Sequence, residues 1–300
     1  KLKRIKVEPF KLEKEIQNLV ENNVAEFFDL EFVKSELSFG NFRFDTLCYE
    51  QETNSFVIIE YKKGYSYSVI DQGYTYLSLL LNNKADFILE YNETLGKNIK
   101  RDEVDWSQSK VMFVSPQFSE YQKNSVNFKN LPFELWEITR YTTDAIALNK
   151  ISTESTVDIS STLTKDTKDG VVGKVTKEII RYDEDYHLFK SKNRPEAVIE
   201  LYRKLKERVL DFGDTIEIRF GKQTIGFKQN RIFTDFIIYN KGIGVLLNVK
   251  QGELKDSLNK TEDLSNKGHW GNGDYRIWLH DEEDLEYTVS LLKQSYQKQL

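Results

Sequence analysis

The sequence predicts an α/β N-terminal domain, a mixed sheet with flanking helices, followed by a small α+β C-terminal domain. Three observations carry that expectation. Segments of helical and strand period interleave through the first half. Between Ser152 and Lys174 the chain turns to Ser, Thr, Asp, Lys and Gly with few large apolar residues. Beyond it, four short strands follow a single helix. Three hundred residues suit about two domains, placed at 1–151 and 177–300 with a linker over 152–176.

Each element has its own signal. Phe10 to Phe28 has helical spacing, with Leu12, Ile16, Leu19, Val20 and Val24 on one stripe. "FRFDTLCY" (Phe42–Tyr49) and "FVIIEYK" (Phe56–Lys62) flank a polar turn and read as a hairpin. Val69 to Leu81 reads as a helix, "KVMFVSP" (Lys110–Pro116) as a strand, and Phe133 to Ile151 as one or two more strands. The second half opens with a helix from Pro195, a residue well placed in a first turn. "TIEIRF", "QTIGFK", "FTDFIIYN" and "IGVLLNVK" are its four strands. "YRIWLH" and a closing helix from Asp281, opened by the acidic "DEED", complete it.

Composition excludes several classes. One cysteine, Cys48, rules out an internal disulfide framework, and with three histidines besides it makes a cysteine/histidine zinc site improbable. Alternation places Cys48 in the core, without a paired base. No apolar run approaches the roughly 18 residues of a membrane span, so no membrane partner and a cytoplasmic location are expected. A net charge of −5 argues against a broadly basic nucleic-acid binder but leaves room for a local basic groove. "GKQTIG" (Gly221–Gly226) lacks phosphate-loop spacing and reads as a hairpin turn.

The hairpin gathers charge. A turn centred between Glu52 and Thr53 sets Asp45 directly opposite Glu60, where Cβ atoms lie about 4.5–5.5 Å apart. Lys62, two residues on, shares the face of Glu60, while Phe44, Val57, Ile59 and Tyr61 are expected on the other. Facing carboxylates repel unless something positive separates them. A hard divalent cation, Mg²⁺ or Mn²⁺, would resolve the repulsion, with Asp45 and Glu60 as ligands and Lys62 beside an attacking water. The competing reading is a solvated salt-bridge cluster at a hairpin end.

The order of a Glu-bearing helix, "RFD", a hairpin, "IIEYK" and "DQGYTYLSLL" resembles the PD-(D/E)XK nuclease superfamily, in its NucS-like and RecB-like branches. No proline precedes Asp45, unlike the signature's name. The resemblance implies a restriction-endonuclease-like fold and metal-dependent phosphodiester hydrolysis of nucleic acid, DNA ahead of RNA, in repair, restriction or phage defence. Asp45 then matches the first acidic position and Glu60-Tyr61-Lys62 the (D/E)XK motif. Gln72 and Tyr76 match the Gln-x-x-x-Tyr of the following helix, and Glu13, preferred over Glu15, matches the first-helix glutamate. Asp45, Glu60, Lys62, Gln72 and Glu13 are the expected catalytic set, with Arg43, Lys63 and Tyr76 as nearby substrate contacts. The alternative is a catalytically silent nucleic-acid-binding or protein-interaction module on the same fold.

From about Pro195 the chain resembles a bacterial domain of unknown function often labelled "predicted transport protein". No membrane segment supports that label. "DLSNKGHWGNGDY" (Asp263–Tyr275) is its most unusual stretch. Its backbone amides, His269 and Trp270 are candidate contacts to phosphate and base. The competing reading is a tight glycine turn packed by its own tryptophan. A protein partner for this domain also stays open.

Overall fold

The computed structural model describes residues 5–64, 69–128, 131–152, 155, 157, 170–190, 193–268 and 271–300. The chain divides into two units, Lys1–Arg181 and Tyr182–Leu300. Among the described residues no helix is long and apolar enough to cross a membrane.

Unit 1 is built on a six-stranded mixed sheet, taken in chain order: β1 (Glu31–Phe39), β2 (Phe42–Glu50), β3 (Ser55–Tyr61), β4 (Lys110–Ser115), β5 (Phe133–Arg140) and β6 (Ile146–Lys150). The β1–β2, β2–β3 and β5–β6 pairs are antiparallel, and β3–β4 and β4–β5 are parallel. Strand β3 is buried along its whole length, as expected of a central strand covered on both faces. Its alternate side chains feed two cores. Phe56 and Ile58 join Val111 and Phe113 under α3 (Val69–Asn82) and α4 (Lys84–Leu95). Val57, Ile59 and Tyr61 join Met112 and Val114 under α1 (Glu13–Glu21) and α2 (Val24–Phe28). Each large aliphatic or aromatic side chain buried this way contributes about 1.5–3 kcal/mol, so the strand is fixed between layers on both sides.

The expected helix over Phe10–Phe28 is instead two helices. Asn23 breaks the pattern by turning its side-chain amide onto the Leu19 carbonyl at 2.7 Å, a local bond that competes with helix propagation. Leu12 lies ahead of α1 and is exposed, off the buried stripe. Strand β1 and helix α4 were not anticipated. Part of the polar stretch after Ser152 is helical: α6 (Val171–Glu178), which follows α5 (Glu120–Ser125), sends Val175 into the core under α3.

Unit 2 is an antiparallel sheet in the order β11-β12-β10-β9-β8-β7. Its strands are β7 (Glu217–Phe220), β8 (Ile225–Lys228), β9 (Ile232–Tyr239), β10 (Gly242–Leu247), β11 (Thr261–Asp263) and β12 (Tyr275–Leu279). Helices α7 (Glu196–Leu210) and α8 (Leu285–Lys298) share its core, where Tyr202, Leu205 and Leu292 meet Phe236, Val245 and Ile277.

Candidate functional site

The β2–β3 hairpin has the register that its sequence predicts. Glu50 pairs with Ser55 across the turn and Thr46 pairs with Ile59 at the far end. The next position outward brings Asp45 beside Glu60. There the ladder stops, and the Tyr61 amide donates to Asp45 Oδ2 at 3.0 Å. A side-chain oxygen has taken over from the strand ladder. Phe44 does not share the face of Val57, Ile59 and Tyr61, as alternation predicted. It packs with Tyr76 and Phe87 on the α3 side, while Thr46 Oγ1 lies 3.0 Å from the Tyr61 hydroxyl on the other. The strand changes phase between these two residues, where the Asp45 side chain turns toward the β3 backbone.

Glu60 is buried and faces α3, in phase with Phe56 and Ile58. Its Oε1 accepts from Lys62 Nζ at 2.8 Å and from Gln72 Nε2 at 2.5 Å. Its Oε2 is buried with no hydrogen-bond partner. Gln72 reaches Glu60 because α3 begins beyond the end of β3 and runs back over the sheet. The same Nε2 lies 2.8 Å from the Tyr76 hydroxyl, one turn along, and that hydroxyl donates to the Arg43 carbonyl at 3.0 Å. Glu60, Lys62, Gln72, Tyr76 and the backbone at Arg43 therefore form one bonded set. Burial, followed by the repulsion of Glu60, raises the Asp45 carboxyl to about 6, against the opposing Tyr61 hydrogen bond.

The remaining expectations separate. Glu13 does not touch either carboxylate; its Oε1 accepts from the Lys63 amide at 2.9 Å, so it pins the chain leaving β3. Lys63 turns its ammonium to the Lys11 carbonyl. Arg43 is exposed and 3.5 Å from Glu36. Tyr76, expected as a substrate contact, is buried, and its hydroxyl braces Gln72 against β2. His269 and Trp270 lie outside the described residues. The described end of their loop is a tight turn. Asp235 accepts from Asn272 N at 2.8 Å and from its Nδ2 at 2.9 Å. Gly273 has φ +91, and a Cβ there would lie 2.0 Å from the Leu247 carbonyl oxygen, so that position requires glycine.

Sequence reading missed a polar layer behind Asp45. Gln17 on α1 donates through Nε2 to the Asp45 carbonyl at 3.1 Å and to Glu21 Oε1 at 2.9 Å. Glu21 Oε1 also accepts from Thr46 Oγ1 at 2.6 Å. The signal was available: Gln17 and Glu21 are four apart on the apolar side of α1, next to Ile16 and Val20, where a polar residue needs a partner. Among the described residues no group of three or more His, Cys, Asp or Glu is placed to hold a metal. The pair Asp45 and Glu60 remains, with one unpartnered buried oxygen. That donor set suits a small hard cation, since Mg²⁺ takes one or two carboxylates and keeps several waters.

Comparison with known proteins fixes the family but not the activity. An uncharacterised protein of Haemophilus influenzae is 43% identical over 294 residues, spanning 98% of this chain and 96% of that protein. This chain belongs to that protein's family. A family model described as a domain of unknown function (DUF5655) matches residues 188–299, most of unit 2. Among solved structures, a repair endonuclease from Pyrococcus abyssi is 17% identical, covering 43% of this chain and 49% of that one, with a TM-score of 0.25. An EndoMS–double-stranded DNA complex is 16% identical, covering 45% of this chain and 50% of that one, at the same TM-score. The chain thus spans about half the length of these two structures, and at that score the overlap leaves the site's own geometry to carry the functional argument.

Proposed function

We propose that unit 1 is a restriction-endonuclease-like domain that hydrolyses phosphodiester bonds of nucleic acid, DNA in the first instance, with the help of a divalent cation. One observation carries the reading. Two carboxylates meet at the open end of a central hairpin, one with a raised pKa and the other with a buried oxygen lacking any partner. That arrangement costs stability in the free chain, and a cation removes the cost. Asp45 and Glu60 would hold Mg²⁺ or Mn²⁺. Such an ion supplies charge neutralisation at the phosphodiester and at the developing oxyanion.

The chain's own groups do the rest. Gln72 fixes the rotamer of Glu60, and Tyr76 fixes Gln72. Lys62, held 2.8 Å from Glu60, would supply positive charge beside an attacking water. Gln17 and Glu13 hold the two strand ends by backbone contacts, at the Asp45 carbonyl and the Lys63 amide.

A second reading has its own observation. Glu60 Oε1, Lys62 and Gln72 already satisfy one another, as in a nuclease fold retained only as a binding module. Cleavage of single-stranded, duplex and branched DNA with Mg²⁺ or Mn²⁺ decides between the two. The hydrolytic reading expects Glu60→Gln and Lys62→Met each to lower the rate by about 10²-fold or more. Cleavage that survives Glu60→Gln, or that needs no cation, overturns it.

A further inference from the structure

Unit 2 carries a cavity of about 480 Å³ lined by Arg194, Tyr239, Asn240, Lys241, Trp278 and His280. Pockets of ~300–1,000 Å³ are the usual size for small-molecule ligands. All six residues lie within unit 2.

The site is built from facing sheet positions. Trp278 on β12 pairs with Gly244 on β10, and alternation turns it away from the core that takes Ile277 and Leu279. A Cβ at Gly244 would sit 3.3 Å from Tyr239 Cε2 and 3.5 Å from Trp278 Cζ3, so the bare backbone there leaves room for both rings. Tyr239 and Trp278 have centroids 5.0 Å apart. Trp278 and His280 are stacked, 6.0 Å apart with planes 6° from parallel. The arrangement is held from behind. His280 Nδ1 donates to the Lys241 carbonyl at 2.8 Å, since a carbonyl only accepts. Gly242, at φ +147, lets the β9–β10 turn close against the Leu279 carbonyl.

Cations complete the wall. Arg194 donates through Nη1 to Asn240 Oδ1 at 2.8 Å and through Nε to the His187 carbonyl at 3.3 Å. Among the described residues no carboxylate pairs with Arg194 or Lys241. By contrast Arg276, whose guanidinium lies 4.7 Å from the Trp278 ring centre, is neutralised by Glu262 at 2.6 Å. The pocket thus offers fixed flat rings, an anchored guanidinium and a lysine without counter-charge.

We propose that this pocket binds an unpaired nucleotide, its base stacked on the Tyr239–Trp278–His280 rings and its phosphate on Arg194 and Lys241. Flat ring faces select a planar heterocycle, and uncompensated cations beside them select an attached anion. An acidic peptide would use the cations and leave the rings idle. The Trp278–His280 gap admits no third ring, because each stacked neighbour needs about 4.5 Å of centroid separation, and Arg276 already lies over Trp278. The base therefore lies against His280 and Tyr239 at the outer side of the row, with Trp278 holding both rings in place. A concave pocket cannot receive a base still paired within a duplex. The ligand is then single-stranded nucleic acid or a free nucleotide, which share this chemistry.

The proposal stands apart from the hydrolytic reading, because binding is measured on the full chain in EDTA, where no divalent cation is present. Fluorescence anisotropy with a short labelled single-stranded oligonucleotide gives the affinity. A matched duplex and adenosine monophosphate serve as competitors. Trp278→Ala should weaken binding roughly tenfold or more, and Trp278→Phe should restore most of it. The double variant Arg194→Gln, Lys241→Gln should weaken binding and flatten its salt dependence by about one to two phosphate contacts. Lys241→Gln alone, at an exposed position, guards against a folding artefact in the other variants. Competition by the mononucleotide at an affinity like the oligonucleotide's identifies a free nucleotide as the ligand, and weak competition identifies the strand. No binding by the wild type, unchanged binding in the folded variants, or a duplex that competes as well as the single strand overturns the proposal. Glu60→Gln should bind like the wild type, so a failed cleavage assay leaves this result readable.

Discussion

Asp45→Asn should make the cation-free protein more stable, against the usual direction for a half-buried polar substitution. The Asp45 carboxyl titrates near 6 in the folded chain, against an ordinary value of 3.8. The sign follows from that direction. A folded-state value above the unfolded one means the group favours folding when protonated, and that contribution is fully present below about pH 4 and lost as the pH rises through 6. At about pH 7.5 the ionised carboxylate therefore destabilises the fold. Two units at about 1.36 kcal/mol each set an upper limit near 3 kcal/mol. Asp45 keeps some contact with water, so screening reduces this to about 1–2 kcal/mol. Asparagine keeps an acceptor for the Tyr61 amide and gains a donor toward Glu60. The expected rise in melting temperature is about 2–8 °C for a unit of this size. The assay is thermal unfolding at about pH 7.5, and again near pH 4, where the gain should vanish. Mn²⁺ at about 100 times its Kd should stabilise the wild type by about 2.7 kcal/mol and leave the variant nearly unmoved. A variant less stable than the wild type in EDTA, or equal Mn²⁺ shifts in both, would refute the reasoning.

Three further outcomes are open to measurement. Gln72→Ala should leave the melting temperature within a few degrees of wild type and lower any cleavage rate about tenfold, because Glu60 loses the donor that fixes it; an unchanged rate would show that α3 merely packs there. Gly73→Ala should cost about 1–3 kcal/mol in urea unfolding, since its Cβ would lie 2.6 Å from the Phe133 ring; a neutral result would mean that the ring moves freely. Gln17→Ala should cost about 1–3 kcal/mol, leaving the Thr46–Glu21 bond but orphaning the Asp45 carbonyl, and a double-mutant cycle with Asp45→Asn should show coupling.

The part of the site that could be read from the chain was local. A polar turn between two apolar runs fixed the β2–β3 register to the residue, because a one-place slip would have sent Phe56 and Ile58 into the opposite core. With that register, Asp45 and Glu60 had to meet. Gln72 and Tyr76 followed from helical spacing over a known strand. What stayed hidden depended on departures from regularity or on distant partners. Phe44 was misassigned because alternation assumes an unbroken strand, and Asp45 breaks it by bonding the Tyr61 amide with its side chain. Strand β1 lies at the sheet edge with its side chains mostly half-buried or exposed, so its apolar pattern is diluted. In the unit 2 pocket, the two-residue spacing of Trp278 and His280 already implied one face, yet Arg194 and Tyr239 arrive from other elements.

These two kinds of irregularity differ in what they imply. The Asn23 break and the α1–α2 turn satisfy their own hydrogen bonds and make ordinary local structure. The Asp45–Glu60 end does not: it keeps a carboxyl raised by burial and repulsion, and a buried oxygen without a partner, in a strand pair otherwise regular to its last bond. A sheet needs neither feature to close. Replacing Glu60 by a β-branched apolar residue would continue the Phe56–Ile58 row under α3 and remove the repulsion at a stroke. A strained polar end on an otherwise consistent strand is where a function imposes its own requirement on the fold. It also makes the requirement measurable, as the stability that the free chain gives up and that, on the proposed reading, a bound cation would return.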